Sequence, residues 1–133
     1  MKKIALLLLI FFLKNSDAQT VSTGEAIVNN VNAQDFKKHI DEKKSILIDL
    51  RTPDEISKKG KIKGAIEIDY FAKNAEEQID KLDKKKTYLI YCAGGGRSEE
   101  CAELMQKKGF SKVINLEKGF DDWKKKGFEV ETK

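Results

Sequence analysis

The sequence predicts an α/β fold, a small parallel sheet with helices on both faces. Short runs rich in apolar, often β-branched residues recur at 45–49 (SILID), 65–68 (AIEI), 87–91 (TYLIY) and 113–116 (VINL). The first and third are continuously apolar and do not alternate, the pattern of strands covered on both faces. Segments with helical spacing separate the runs, so the strands are joined by crossovers and lie parallel. With 133 residues, the chain has room for one small core and none for a cofactor domain beside a substrate domain. Any activity sits on one compact unit.

The elements follow in order. Lys2 and Lys3 precede an apolar run at 4–13, followed by Lys14, Asn15, Ser16, Asp17 and Ala18, the three-part layout of an export signal. As a helix the run spans about 15 Å, half a hydrocarbon core, so no permanent membrane span is expected. Ser16 and Ala18 supply small residues for cleavage after Ala18, and a short uncleaved anchor at the membrane surface is the alternative. The expected organisation is a signal peptide at 1–18, a lead-in or marginal first strand at 19–31, and a folded domain at 32–133. Export would place the mature chain in the periplasm or outside the cell, under oxidising conditions.

Asn32 is placed to cap a helix over 33–41, in which Phe36 and Ile40 share a face. The strand 45–49 follows. Pro53, Asp54 and Glu55 open a short helix, since Pro is tolerated in a first turn and acids favour it. Gly60 to Gly64 punctuate a turn before the strand 65–68, and 72–82 is helical, with Ala75, Ile79 and Leu82 on one face. The strand 87–91 runs into a glycine-rich loop and a helix over about 98–108. The strand 113–116 and a helix over 120–126, with Trp123 one turn beyond Phe120, complete the chain.

Charged residues make up 36% of the chain, yet the net charge is only +4, and Lys supplies all but two of the 26 basic residues. The lysines adjoin acids or turns and form no basic face interleaved with aromatics, so a nucleic-acid partner is not expected. The two arginines, Arg51 and Arg97, stand out, because guanidinium offers a planar set of donors that Lys cannot supply. His39 is the only His and lies on a Lys-rich helix, so neither a multi-His metal site nor a His-assisted Cys hydrolase is supported. No metal or organic cofactor is implied.

In an open parallel sheet, ligands sit beyond the carboxyl ends of the strands. Cys92 stands there, followed by Ala93, Gly94, Gly95, Gly96, Arg97 and Ser98. Three consecutive glycines let the backbone curl so that amides and a helix N-terminus converge, an anion cradle that also favours the thiolate, the reactive form of Cys. Arg97 has two readings: it aims at a bound anion, or it pairs with Asp49 or Glu55 to brace the loop. Bracing is favoured, because parallel strands bring their ends together and a buried carboxylate needs a partner. Arg51 is expected to tie its own turn to Glu55, four residues on.

The loop CAGGGRS resembles that of the rhodanese-like sulfurtransferase family, whose pattern is Cys, two residues, Gly, one residue, Arg, Ser. Upstream, Asp49-Leu50-Arg51, Glu55 and GKIKGAIEI are similar to the family's first signature. Downstream, GFSKVINLEKGFDDW is similar to the second, with Gly109, Phe110, Val113, Leu116, Gly119 and Trp123 in register. The resemblance implies a rhodanese-like fold and a single-domain sulfurtransferase in which Cys92 accepts sulfane sulfur as a persulfide and passes it on. Substrate contacts would come from Ala93, Gly94, Gly95, Gly96 and Arg97, and bracing from Asp49, Arg51, Glu55 and Ser98. The implied partners are a small sulfur-containing anion, such as thiosulfate or a polysulfide, and a thiophilic acceptor, with the chain a monomer.

Lys61 stands where many members carry His, and Lys118 where many carry the first of two glycines. Residues 93–96 hold no cation, although several thiosulfate-using relatives place one there, so an anion would be held by backbone N–H groups and Arg97. Related phosphatases put five residues between Cys and Arg, and four here suit a smaller cradle centred on one sulfur. The alternatives are a persulfide carrier or anion-sensing module without turnover and, ranked below it, a Cys-dependent phosphatase or arsenate reductase. Cys101 is expected as a buried apolar residue of the helix, and a Cys92–Cys101 disulfide would silence the nucleophile.

Overall fold

The computed structural model describes residues 27–132. The expected signal peptide at 1–18 and most of the expected lead-in lie outside them. The element order is β1 (Ile27–Val31), α1 (Ala33–Asp41), β2 (Ile46–Asp49), α2 (Pro53–Lys59), β3 (Ile66–Glu67), α3 (Ala75–Asp80), β4 (Thr87–Tyr91), α4 (Gly96–Lys107), β5 (Lys112–Leu116) and α5 (Gly119–Lys125). The strands form one parallel five-stranded sheet in the order β1-β5-β4-β2-β3. The end of the lead-in segment is thus an edge strand paired along β5.

Both faces of the sheet are apolar. Ile48, Ile90 and Val113 pack with Cys101, Ala102 and Met105 of α4 and Ile79 of α3. Their immediate neighbours Leu47, Leu89 and Ile114 pack on the other side with Phe36 of α1 and with Phe120 and Trp123 of α5. Each residue step reverses the face, so covering both faces turns the strand into a continuous apolar run.

The helix starts follow the sequence chemistry. Asn32 Oδ1 accepts from the Asp35 N–H at 2.8 Å. Thr52 and Glu55 form a reciprocal capping box behind Pro53, satisfying two amides that a helix start leaves open. Two elements are shorter than their apolar pattern predicts. β3 is two residues long and both are exposed, because it is an edge strand that pairs with β2 only at Ile66 and Glu67. α3 begins at Ala75 because the Ala72 N–H bonds to Asp69 and that of Ala75 to Ala72, closing turns ahead of the helix. No helix among the described residues is long and apolar enough to cross a membrane.

Candidate active site

β4 delivers Cys92 to the carboxyl edge of the sheet, on the α4 face. Gly95 turns the chain into α4 with φ +106°, in the left-handed region open to glycine. A Cβ there would lie 2.0 Å from the Glu117 carbonyl oxygen, whereas one on Gly94 or Gly96 would meet nothing within 4 Å. The three glycines therefore differ: Gly95 is required by geometry, and the other two line an open rim.

The start of α5 shapes the loop from outside. The Phe120 N–H donates to the Cys92 carbonyl at 2.8 Å, and that of Asp121 to the Ala93 carbonyl at 3.0 Å. With those carbonyls held by α5, the trans peptides direct the Ala93 and Gly94 N–H groups away from α5. Gly119 permits the approach: its φ is +69°, and a Cβ would fall 2.4 Å from the Ala93 oxygen. Sequence reasoning places Gly119 in a signature but not in the site; the only sequence signal is a glycine at the start of a helix.

Cys92 is 1% exposed. Its Sγ accepts from the Gly95 N–H at 3.1 Å and the Ser98 N–H at 3.4 Å, so the first turn of α4 points its free amides at sulfur. The thiol lies 3.5 Å from Ser98 Oγ, to which it donates, and the Ser98 hydroxyl donates onward to the Gly95 carbonyl at 3.1 Å. Ser98, expected as a brace, touches the sulfur directly.

Arg97 pairs with Glu55 and not with Asp49. Nη1 donates to Oε2 at 2.8 Å and Nη2 to Oε1 at 2.7 Å, a bidentate geometry that fixes the guanidinium plane. The exposed Phe71 ring lies over the same group at 4.8 Å. Glu55 also accepts from the Thr52 N–H, so one carboxylate caps α2 and braces the Cys loop.

The expected Arg51–Glu55 tie is not formed. Arg51 Nε and Nη2 instead donate to the Asp49 carboxylate at 3.0 and 2.7 Å, and Nη2 also reaches the Gly60 carbonyl at 2.8 Å. Asp49 and Arg51 are two residues apart in extended chain, so both side chains point to the α5 face, whereas α2 turns Glu55 toward the Cys loop. The guanidinium stacks 3.9 Å above the Phe120 ring centre. Tyr91 completes this buried group by donating to Asp49 Oδ2 at 2.6 Å. Burial, and then the Asp49 charge, push its phenol above the usual range. Asp49 and Arg51 thus support the loop through Phe120 from the far side of the sheet.

Arg97 first, with the Thr52 hydrogen bonds, lowers the Glu55 carboxyl from its usual 4.5 to about 2. A carboxyl lowered in the folded state binds its proton more readily when unfolded, so its stabilisation is present above pH 4.5 and lost as pH falls toward 2. We expect the urea midpoint of the wild type to fall more steeply across that window than that of Glu55→Gln. Parallel profiles would remove the ion pair from the brace.

Cys92 and Cys101 are both free and buried. Burial, and then the proximity of Cys92, push the Cys101 thiol up to about 12, so it is not a nucleophile at neutral pH. No cluster of potential metal ligands occurs among the described residues.

A family model described as Rhodanese-like domain matches residues 32–126. A sulfurtransferase of Allochromatium vinosum is 30% identical over 106 residues, a match covering 78% of this chain and 95% of the relative. A putative sulfur carrier protein of Bacillus subtilis is 31% identical over 103 residues, with 77% of this chain and 54% of the relative covered; the chain spans about half that protein. Among solved structures, a rhodanese-related protein from Thermoplasma volcanium superimposes with a TM-score of 0.70 at 28% identity, covering 79% of this chain and 99% of that one.

Proposed function

The chain belongs to the rhodanese-like domain family, and from that premise we propose that it is an exported sulfurtransferase that carries sulfane sulfur as a persulfide on Cys92. The observation that carries this reading is the convergence of the Gly95 and Ser98 N–H groups on Cys92 Sγ. Such donors stabilise negative charge on sulfur without moving during reaction.

In the first step the Cys92 thiolate attacks the sulfane sulfur of the donor. A Cys92 S–S bond forms, the donor's own bond to that sulfur breaks, and the leaving group departs with the electron pair: sulfite from thiosulfate, or a shortened chain from a polysulfide. In the second step a thiophilic acceptor attacks the terminal sulfur and the Cys92 thiolate leaves. No oxidant is consumed. The Ala93 and Gly94 amides face the terminal persulfide sulfur, where charge collects, and the Ser98 hydroxyl is positioned to turn from the Gly95 carbonyl to the thiolate.

Arg97 is committed to Glu55, and residues 93–96 carry no cation, so the Cys loop binds charge through its backbone dipoles. An organic polysulfide, which lacks the double negative charge, is therefore expected to outperform the dianion thiosulfate by about tenfold in kcat/KM. The test is thiocyanate formation from cyanide with thiosulfate, 3-mercaptopyruvate or a polysulfide as donor, with Cys92→Ala as control. A persulfide that forms on Cys92 but passes to no acceptor would replace the enzyme by a carrier. Hydrolysis of a phosphate ester without sulfur transfer would replace it by a phosphatase. Export is supported by Lys2 and Lys3, the apolar run 4–13 and the small residues Ser16 and Ala18; protein recovered from an export-competent host is expected to begin at Gln19.

A further inference from the structure

The five strands are parallel, so the turns at their amino ends share one side of the molecule, opposite Cys92. Those turns carry Lys43 and Lys44 before β2, Lys84, Lys85 and Lys86 before β4, and Lys112 at the start of β5. Their juxtaposition is fixed by hydrogen bonds. The Ser111 N–H donates to the Lys84 carbonyl at 2.9 Å, and the Ile27 N–H donates to the Ser111 carbonyl at 3.2 Å. Register adds the rest: Thr87 lies beside Lys112, and Ile46 beside Tyr88, so the turns carrying Lys44 and Lys86 lead into adjacent strands.

Of the nearby acids, Asp41 pairs with Lys37 and Asp80 with Lys108, Glu42 lies 3.9 Å from His39 Nδ1, and Asp83 accepts from the Lys85 backbone. None of the six lysines forms an ion pair with a described residue. The Cys92 side has the opposite bias. Acids occupy the first turns of α1, α4 and α5, and basic residues their last turns. Charges placed to complement helix dipoles thus polarise the whole domain, because parallel topology aligns those helices.

The chain enters the fold at Ile27 on this lysine face. Upstream, the apolar run 4–13 is flanked by Lys2, Lys3 and Lys14. Residues 14–26 reach at most about 45 Å when extended. We propose that the lysine face docks the domain on an anionic lipid bilayer, with the upstream apolar run entering the same membrane in the unprocessed chain. The Cys92 mouth then points away from the bilayer, about 15–20 Å above the docked face, the length of a five-residue strand. Sulfur donors and acceptors approach it from the aqueous side.

The test is flotation of the full chain with vesicles of phosphatidylcholine alone and with about 30% phosphatidylglycerol, the anionic fraction that gives basic residues their attraction. Partitioning onto the anionic vesicles is expected to be at least about tenfold stronger, and to fall to the neutral-vesicle level at high salt. Reversing Lys43, Lys44, Lys85 and Lys86 to Glu should abolish that difference. Reversing Lys73, on the Cys92 side but outside the Cys loop and the β5–α5 turn, should leave it intact. Thermal unfolding of both variants followed by the fluorescence of the buried Trp123 reports that the fold is unimpaired, so this result stands apart from the sulfur-transfer test. Equal binding to both vesicles, insensitivity to the four reversals, or preference of the lysine face for a single-stranded oligonucleotide over the vesicles would overturn the proposal.

Discussion

Replacing Gly95 by Ala is expected to reduce sulfur transfer at least a hundredfold, by displacing Cys92 from its donors, and to lower stability by about 2–4 kcal/mol. Two costs combine. The φ of +106° lies where a side chain costs about 1–2 kcal/mol. The new methyl would also sit 2.0 Å from the Glu117 carbonyl oxygen, a backbone atom that no rotamer change can move. Relief requires the turn between β5 and α5 to shift, and that turn leads directly into the start of α5, whose Phe120 and Asp121 N–H groups hold the Cys92 and Ala93 carbonyls. Gly94→Ala is the contrast. Its Cβ meets open space, and the change should stay within about 0.5 kcal/mol, as surface substitutions do. Urea unfolding with initial rates for both variants decides; a stable, active Gly95→Ala protein would refute the role assigned to the turn.

Arg51→Met is expected to lower stability by about 3–5 kcal/mol, the cost of stranding one partner of a buried ion pair. Both side chains of the Asp49–Arg51 pair are fully buried. Without the guanidinium, Asp49 keeps the Tyr91 hydroxyl at 2.6 Å and the residue-51 N–H at 3.0 Å, but no cation. Gly60 loses its side-chain donor. Adding Asp49→Asn should recover part of the loss, because the stranded charge is then gone. The folded single variant should keep its kcat within about threefold, since Arg51 touches no reacting atom and the sheet lies between it and Cys92. Thermal unfolding followed by Trp123 fluorescence measures the first effect, and thiocyanate formation below the transition the second. A rate that collapses in protein shown to be folded would place Arg51 in the site.

The two variants bear on different kinds of information in the sequence. Asn32, Pro53 and the run TYLIY act on chain next to themselves, so capping, helix entry and strand formation could be read residue by residue. The α/β class followed from apolar strands, because a sheet buried on both faces leaves no room for polar alternation. Cys92 was legible for a similar reason: three glycines and a retained Arg within six residues announce a curled anion cradle. The shortness of β3 was not legible, since edge position is a property of the sheet and not of the strand.

The partners of the two arginines were decided only by tertiary structure. Arg51 and Glu55 are four residues apart, and sequence proximity suggested a pair. The alternation of extended chain sends Arg51 to one face of the sheet with Asp49, while a helical turn sends Glu55 to the other, where Arg97 arrives from 42 residues away. The distinction among the three glycines has the same origin, because the atom that forbids a side chain at Gly95 belongs to Glu117. Local chemistry in the sequence was enough for the sheet class, most of its elements and the curled glycine loop after Cys92. Only the packed structure decided which charges meet and which glycine is indispensable, since both depend on atoms brought together by strand pairing.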